Sequence, residues 1–352
     1  MLNQWEPVNT KSNHSPLVVV CGSDDNYAMP LAVTLYSALV NLEKGCTIYL
    51  YIIDGGISER SKQRLHRVLD VEHVDLRLKW VIPDLALLSD LKPYEWVTVA
   101  AYLRLLIPDV VPEQFEKAIY LDSDLQVEAN LRQLWDQEMG RHALLAVRDC
   151  GTPYVSSQYG ITKYREIGLA PDTPYFNSGL LVINLKRWRA EKISQKVIRY
   201  LREYEQYINL ADQDGLNAVL FDDWGRLDPK WNVVSHILYY EQWEESAFKE
   251  EIRPIREELI RKPYIFHFSG GSKPWQIGCE HPAQLEWIRY LKQSGWFEPN
   301  ESILWRGKWF MQYYLWQIKV LIRKAVFKVG LGQVWNKLRT YALFQKQIDM
   351  LL

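Results

Sequence analysis

Cysteine is scarce in this sequence, and the few cysteines present lie far apart. Only four occur in 352 residues, Cys21, Cys46, Cys150 and Cys279, and no two of them form a C-x-x-C pair. Zinc knuckles and small disulfide-stapled domains both need closely spaced cysteines. The spacing therefore argues against both kinds of site, and it indicates a reducing compartment.

Long apolar runs are missing as well. Residues 1–16 contain no apolar core, so we interpret them as a polar N-terminal extension and not as a secretory signal. Toward the other end of the chain, the longest stretch without charge covers ten residues, 309–318, and includes two glutamines. A bilayer-spanning helix needs about twenty apolar residues. We therefore expect no transmembrane anchor and a cytoplasmic location.

Charge of one sign is not in excess over the whole chain. There are 42 Lys and Arg residues and 43 Asp and Glu residues, and the net charge of -1 argues against nucleic acid as a partner. Basic residues are concentrated after residue 304, where nine of them accompany one acidic residue, Asp349. With 48% hydrophobic residues the chain can form one large core or two modest ones, which excludes global disorder.

One apolar run ends in two acidic residues. Residues 118–121 are Ala-Ile-Tyr-Leu, and Asp122 and Asp124 follow them two positions apart. In an extended backbone such residues project from the same face, so both carboxylates can reach one divalent cation. Oxygen ligands of this kind suit Mg²⁺ or Mn²⁺ bound to a diphosphate. Asp212-Gln213-Asp214 has the same spacing, and a solvated turn is the alternative for either tripeptide.

Strand-like and helix-like segments alternate in the first half of the chain, which predicts an α/β fold built on a βαβ sheet. The predicted strands are residues 17–21, 47–53, 74–81, 118–121, 143–147, 179–184 and 264–267. The predicted helices begin near Pro30 and after Ser58, and others cover residues 99–106, 193–207 and 212–220, with a loop over 222–231. A doubly wound sheet binds ligands beyond the carboxyl ends of its strands, where Asp24, Asp122, Asp149 and His267 all fall.

Six blocks of the sequence form a recognisable set, residues 23–27, 98–104, 120–124 (Tyr-Leu-Asp-Ser-Asp), 176–185, 212–214 and 267–275. Together these blocks resemble glycosyltransferase family 8, which includes bacterial lipopolysaccharide and lipooligosaccharide glucosyl- and galactosyltransferases and, more distantly, glycogenin. The blocks occur in the family's order and span roughly residues 17–290, which makes the resemblance specific.

The resemblance implies a GT-A, Rossmann-like nucleotide-diphospho-sugar transferase domain over residues 17–300. It also implies retaining transfer of glucose or galactose from a UDP-sugar to a glycan acceptor, expected to be a lipid-linked saccharide of the cell envelope. Asp122, Asp124 and His267 match the family's metal ligands. The expected ion is Mn²⁺, with Mg²⁺ as the alternative, because an imidazole beside two carboxylates shifts the preference toward Mn²⁺.

The resemblance assigns the donor site as well. Gly22, Asp24 and Asn26 match the uridine-binding loop, and Gly270 and Lys273 match positions that hold the diphosphate. Arg104, Asn177, Asp212 and Gln213 match contacts to the donor sugar, Ser123 lies inside the donor-binding block, and Asp149 matches a residue between donor and acceptor. Taken singly, several of these residues also fit a cap, a turn or a surface charge.

Gln213 matches the family's position nearest the anomeric carbon, and it is an amide rather than a carboxylate. We therefore favour front-face attack through an oxocarbenium-like state, in which a β-phosphate oxygen accepts the acceptor's proton and Gln213 shields the opposite face. A covalent route through Asp214 or Asp149 is the alternative.

Residues 301–352 combine aromatic and basic residues at helical spacing, which predicts a helical tail on an anionic membrane surface at the inner face of the cell membrane. A helix packed on the catalytic domain is the alternative. We interpret residues 237–261 as an acceptor loop. Two other functions stay open: an inactive UDP-sugar-binding protein, and a glycogenin-like enzyme that glucosylates one of its own 21 tyrosines.

Overall fold

The structure is a computed structural model, and it describes residues 15–91, 99–243, 246–276, 279, 281–298, 301 and 307. The chain divides into two compact units, one formed by Met1–Lys273 with His281–Trp296 and the other by Pro274–Glu280 with Phe297–Leu352. All helices and strands given below belong to the first unit. Most of the predicted N-terminal extension and nearly all of the predicted tail lie outside the described residues.

Seven strands form the main sheet, in the order β3-β2-β1-β4-β7-β6-β8. They are β1 (Leu17–Ser23), β2 (Thr47–Asp54), β3 (Asp75–Val81), β4 (Lys117–Leu121), β6 (Leu144–Arg148), β7 (Phe176–Asn184) and β8 (Trp224–Arg226). The first four strands of this order are parallel, and β7 runs antiparallel to both of its neighbours. The order β3-β2-β1-β4 is that of a Rossmann half-sheet, so the predicted Rossmann-like α/β fold is confirmed.

The central strands are buried along their whole length. Every residue of β1 is buried, as is every residue of β2 except its last. Parallel strands covered on both faces form continuous apolar runs, and this explains why the sequence pattern located them. The predicted loop over residues 222–231 is wrong in part, because β8 pairs with β6 there and a 3₁₀ helix, Pro229–Asn232, follows. A three-residue strand is too short to show a period.

A second sheet of three short strands lies in the order β5-β10-β9. Its members are β5 (Leu125–Val127), β9 (Val233–Val234) and β10 (Ile265–His267). The expectation that the strand ending in His267 belongs to the main sheet is therefore wrong. β10 pairs antiparallel with β5, and β5 begins directly after the turn that carries Asp122 and Asp124. His267 thus reaches those carboxylates through the second sheet.

The helices connect and cover the strands. They are α1 (Ala28–Val40), α2 (Glu59–Val68), α3 (Ile107–Val110), α4 (Leu131–Trp135), α5 (Leu185–Ala190), α6 (Ile193–Glu203), α7 (Asp212–Val219), α8 (Ala247–Ile252), α9 (Arg256–Arg261) and α10 (Gln284–Gln293). Ser58 caps α2 as predicted, with its hydroxyl accepting the Ser61 N–H at 3.3 Å. The helix predicted over 99–106 is a 3₁₀ helix, Val99–Leu106. Residues 237–261, interpreted from the sequence as an acceptor loop, contain the helices α8 and α9.

Within the described part of the chain, no helix has both the length and the apolar character needed to cross a lipid bilayer.

Candidate active site

A cavity of about 390 Å³ opens at the edge of the main sheet where β1, β4 and β6 end and β7 begins. Because β7 runs opposite to its neighbours, its first residues reach the same edge as the last residues of β4 and β6. The predicted site residues that line the cavity are Gly22, Asp24, Arg104, Asp122, Ser123, Asp124, Asp149, Asn177, Asp212, Gln213, His267, Gly270 and Lys273. The fold therefore gathers residues from all six blocks, together with Gly22 and Asp149, which lie outside them.

Two predicted site residues, Asn26 and Asp214, do not line this cavity. Asn26 is exposed, in the 3₁₀ turn Asp25–Tyr27 that Asp24 caps by accepting the Tyr27 N–H at 3.1 Å. Asp214 is buried and turned the other way. Its carboxylate accepts the Tyr175 hydroxyl at 2.5 Å and the Asn209 N–H at 2.7 Å. Asp214 therefore belongs to a buried hydrogen-bonded network at the start of α7.

Asp122, Asp124 and His267 form a cluster suited to a divalent cation. One ligand atom from each lies within 4.8 Å of the others. Nε2 of His267 is 3.5 Å from Asp124 Oδ1 and 3.9 Å from Asp122 Oδ2. Two carboxylates and an imidazole converge on one point, which is the donor set expected for Mn²⁺ and tolerated by Mg²⁺.

The space that the cluster encloses depends on Gly179 in β7. A Cβ atom at this position would lie 2.7 Å from Asp122 Oδ2 and still closer to Cε1 of His267. Carbon atoms cannot approach so closely, so a side chain here would push the cluster apart. The backbone carbonyl of Gly179 also accepts the Asp122 N–H at 2.8 Å, which fixes the first carboxylate against β7. The residues present therefore fit a bound cation.

The turn between β4 and β5 is held by hydroxyl groups on neighbouring elements. Thr34 of α1 is fully buried, and its Oγ1 accepts the Leu125 N–H at 3.0 Å and lies 2.8 Å from the Leu125 carbonyl. Ser123 donates its own hydroxyl to the Gly22 carbonyl at 3.0 Å. The turn that carries Asp122 and Asp124 is thus tied both to α1 and to the end of β1.

Arg104 connects the cluster to the opposite wall of the cavity. Its guanidinium lies 2.9 Å from Asp122 Oδ1 and 3.1 Å from Asp212 Oδ2. Tyr120 donates its hydroxyl to the same oxygen of Asp122 at 2.7 Å. These contacts occupy Oδ1 of Asp122 and leave Oδ2 turned toward His267. Burial raises the pKa of Asp212 to about 6, although the nearby Arg104 opposes this rise.

Lys273 reaches the cluster from the glycine-rich turn after β10. Its Nζ lies 2.6 Å from Asp124 Oδ2 and 2.6 Å from the Phe268 carbonyl. Burial tends to raise the pKa of Asp124, but the charge of the adjacent Lys273 outweighs it and holds that pKa below its usual range. Gly270 begins the turn at a φ of 83°, a left-handed conformation that a glycine adopts without strain. An ammonium group and an ionised carboxylate therefore face the same part of the cavity.

The far wall carries a hydrogen-bonded set of amides around Asp149. Its Oδ1 accepts the Gly151 and Thr152 N–H groups at 2.7 and 2.9 Å. Its Oδ2 accepts Nδ2 of Asn177 at 2.7 Å and Nε2 of Gln213 at 3.3 Å. Four donors therefore surround this carboxylate.

Gln213 is fixed at both ends of its amide. Its Oε1 accepts the Ser178 N–H at 2.8 Å, while its Nε2 faces Asp149. Ala211, just before α7, has a φ of 51° and a ψ of -127°, a combination that is strained for any residue with a side chain. The backbone strain sits two residues from Gln213, and the Asp214 carboxylate bonded to the Asn209 and Leu210 N–H groups holds it in place.

Several residues that shape the site were not singled out from the sequence. Tyr120 and Ser178 lie within the blocks that carry the resemblance, and both contact the predicted residues. Asn232 lies just after the segment predicted as a loop, and its Oδ1 is 3.0 Å from Nδ1 of His267. No pattern could have found Asn232, because a single amide in a segment without a period carries no signal.

Comparisons with known proteins agree with this geometry. A family model described as glycosyl transferase family 8 matches residues 18–278. The chain is 33% identical over 287 residues to General stress protein A of Bacillus subtilis, which covers 79% of this chain and 94% of that protein. It is 26% identical over 286 residues to the lipopolysaccharide 1,3-galactosyltransferase of Salmonella typhimurium, covering 79% of this chain and 78% of that one. The crystal structure of galactosyltransferase LgtC in complex with donor and acceptor sugar analogs superposes with a TM-score of 0.67 at 25% identity, covering 83% of this chain and 100% of LgtC.

Proposed function

The chain belongs to glycosyltransferase family 8, and we propose that it transfers glucose or galactose from a UDP-sugar to a glycan acceptor with retention of the anomeric configuration. The observation that carries this proposal is the convergence of Asp122, Asp124 and His267 beside Lys273 in one cavity. Such a set can hold a divalent cation and a diphosphate together. Loss of a nucleoside diphosphate as the leaving group is the chemistry that needs both.

Asp122, Asp124 and His267 would hold the cation, for which Mn²⁺ is the proposed identity and Mg²⁺ the alternative. The bound ion would supply positive charge at the diphosphate of the donor. Lys273 would turn its ammonium toward the same oxygens and stabilise the charge that develops as UDP leaves. Gly22, Asp24 and Ser123 line the cavity at the end of β1, where we place the uridine.

The contacts of the two candidate nucleophiles support front-face attack rather than a covalent intermediate. Asp214 is committed to Tyr175 and to backbone N–H groups, and it lies outside the cavity wall. Asp149 faces the cavity, but four donors surround its two oxygens. A carboxylate that already accepts several hydrogen bonds is a poor nucleophile. We propose that Gln213 shields the rear face of the sugar and that Arg104, Asn177 and Asp212 orient its hydroxyl groups.

The acceptor would enter from the side of the cavity lined by His236 and Tyr159. His236 belongs to the 3₁₀ helix Ser235–Gln242, which overlaps the segment interpreted as an acceptor loop. Tyr159 is half exposed, and an aromatic ring at a cavity mouth suits the apolar face of a sugar. A lipid-linked saccharide of the cell envelope is the acceptor we favour, because one relative is a lipopolysaccharide galactosyltransferase.

The basic, aromatic tail after residue 304 would bring the enzyme to such an acceptor. Its composition fits a helix lying on an anionic membrane surface. We therefore propose a cytoplasmic enzyme attached peripherally to the inner face of the cell membrane.

UDP release tests the proposed reaction. The purified protein is incubated with Mn²⁺ and separately with UDP-glucose, UDP-galactose and UDP-N-acetylglucosamine, and Asp124→Ala serves as the control. We expect metal-dependent release from one hexose donor that disappears in the control. No release from any donor, together with no UDP binding, would favour an inactive binding protein. Intact mass after incubation separates the glycogenin-like alternative, because only self-transfer adds hexose to the chain.

A further inference from the structure

We propose that Asn232 is a positioning residue that fixes the tautomer of His267 through a buried chain of amides ending at Asp149. The inference rests on the proposed function, because it concerns how His267 is prepared to bind the cation. Asn232 lies in the 3₁₀ helix Pro229–Asn232, before β9 of the second sheet. It is 1% exposed and does not belong to the cavity wall.

The chain consists of three hydrogen bonds between buried side chains. Nδ1 of His267 lies 3.0 Å from Asn232 Oδ1, and Nδ2 of Asn232 donates to Asn177 Oδ1 at 2.8 Å. Nδ2 of Asn177 then donates to Asp149 Oδ2 at 2.7 Å. His267, Asn177 and Asp149 are all buried, so each of these groups needs the partner it has.

The direction of each hydrogen bond between these side chains follows from the identity of one atom of Asn177. The Gly179 N–H donates to Asn177 Oδ1 at 3.0 Å, so this atom must be the oxygen of the amide. The other amide atom of Asn177 is therefore its NH₂ group, which donates to Oδ2 of Asp149. Asn232 must then present its NH₂ group to Asn177 and its oxygen to His267. Nδ1 of His267 consequently carries the proton.

This direction has a consequence for the metal site. With the proton on Nδ1, the lone pair of Nε2 points toward Asp122 and Asp124, where the cation is expected. Without an acceptor at Nδ1, the nearby carboxylates would favour the proton on Nε2, and the histidine would have to give up that tautomer before it could bind a metal. Partners that hold the other ring nitrogen of a metal-binding histidine typically change metal affinity by about 10- to 100-fold.

Two substitutions separate this role from simple packing. Asn232→Leu keeps the volume of the side chain but removes the acceptor for Nδ1. Asn232→Asp keeps an acceptor for Nδ1 and removes only the donor to Asn177. A positioning role predicts that Asn232→Asp retains the Nδ1 proton and binds metal far better than Asn232→Leu. If Asn232 only fills space, Asn232→Leu should reduce metal affinity less than Asn232→Asp does.

The experiment measures Mn²⁺ affinity in the presence of UDP, by electron paramagnetic resonance of the free ion, for the wild type and both variants. The tautomer is read in the metal-free protein at pH 9 from the ¹⁵N shifts of the His267 ring, assigned with His267→Gln. Asn41→Leu is the matched control. It removes an amide that is hydrogen-bonded to Val127 and Tyr290, and this amide bonds to none of the side chains that link His267 to Asp149.

We expect Asn232→Leu to weaken Mn²⁺ binding by about 10- to 100-fold and to move the proton to Nε2. Asn41→Leu should change neither quantity. Wild-type Mn²⁺ affinity in Asn232→Leu, or a proton that stays on Nδ1 in that variant, would overturn the inference. A wild-type protein that binds no Mn²⁺ would instead contradict the proposed function, and the ¹⁵N shifts would still decide the role of Asn232.

Discussion

At the scale of single residues, the candidate site depends on one position that has no side chain. Gly179 brings the backbone of β7 against both Asp122 and His267, and a methyl group there would occupy the space between them. The space between the proposed cation ligands therefore depends on the lack of a side chain at Gly179. A sequence motif reports the carboxylates but not the backbone that makes room for them.

Gly179→Ala should abolish the metal site while leaving the sheet intact. The added methyl group would collide with Asp122 and His267, so we expect Mn²⁺ affinity and Mn²⁺-dependent UDP release to fall by about 100-fold or more. Gly225→Ala is the matched control, because its methyl group would lie 2.5 Å from Leu145 Cδ2 on the edge strand β8, at a glycine that does not line the cavity. Similar losses in both variants would show that crowding of the sheet, and not of the ligands, is responsible.

The two Asp-x-Asp tripeptides, at 122–124 and 212–214, place their second carboxylates differently because their backbones differ. Asp122 and Asp124 stand in the turn between β4 and β5, and both line the cavity. Asp212 and Asp214 stand at the start of α7, where residues two apart point in widely different directions. Asp212 consequently faces Arg104 while Asp214 faces Tyr175. The sequence pattern alone could not separate the two, because it does not contain the backbone conformation.

Asp214→Asn should reduce the dependence of stability on pH. Burial raises the pKa of Asp214 to about 7, against a usual value of 3.8. The folded protein therefore keeps a proton that the unfolded chain releases, and the stability this contributes is complete below about pH 4 and lost as the pH rises through about 7.

Urea unfolding at pH 4.5 and pH 8 measures the effect. Between these values the free energy of unfolding of the wild type should fall by a few kcal/mol more than that of Asp214→Asn, which has no titrating group at this position. The other carboxylates contribute equally to both proteins and cancel in the comparison. Parallel pH dependences would mean that Asp214 is ionised in the folded protein throughout.

At the scale of elements, the predictable strands were the long buried ones. The apolar runs at β1, β2 and β4 identified the sheet, since parallel strands covered on both faces show little else. The strand ending in His267 was predicted, but its pairing with the three-residue strand β5 was beyond this reasoning, because that pairing is set by tertiary contacts rather than by a local period. The role of the second sheet in delivering His267 followed only from the structure.

Thr34→Val should loosen the turn between β4 and β5, which the Thr34 hydroxyl ties to α1. The substitution keeps the shape of the side chain but leaves the buried Leu125 N–H without the hydroxyl acceptor it has at 3.0 Å. We expect the free energy of unfolding to fall by about 1–3 kcal/mol and Mn²⁺ affinity to fall with it. Thr47→Val is a control at a buried threonine whose hydroxyl contact, to Asp75, is longer at 3.4 Å. An unchanged Mn²⁺ affinity in Thr34→Val would remove α1 from this account.

At the scale of the whole molecule, removal of the residues after 304 tests membrane attachment. The removed segment contains nine basic residues and one acidic residue, so most of the attraction to an anionic surface should go with it. We expect the full chain to sediment with vesicles containing phosphatidylglycerol and the shortened chain to stay in solution, with UDP release from the donor unchanged. Neutral phosphatidylcholine vesicles provide the control. Equal binding of both chains to the anionic vesicles would contradict the proposed role of the tail.

The contact between Lys273 and Asp124 joins positions 149 residues apart. A ribosome adds about 5–20 residues per second, so roughly 7–30 s pass between the synthesis of the first metal ligand and that of the last charged group at the site. Until then the growing chain holds Asp122 and Asp124 without the histidine and the lysine that complete the set. The proposed site for a cation and a donor therefore cannot be complete before residue 273 of the chain has been synthesised.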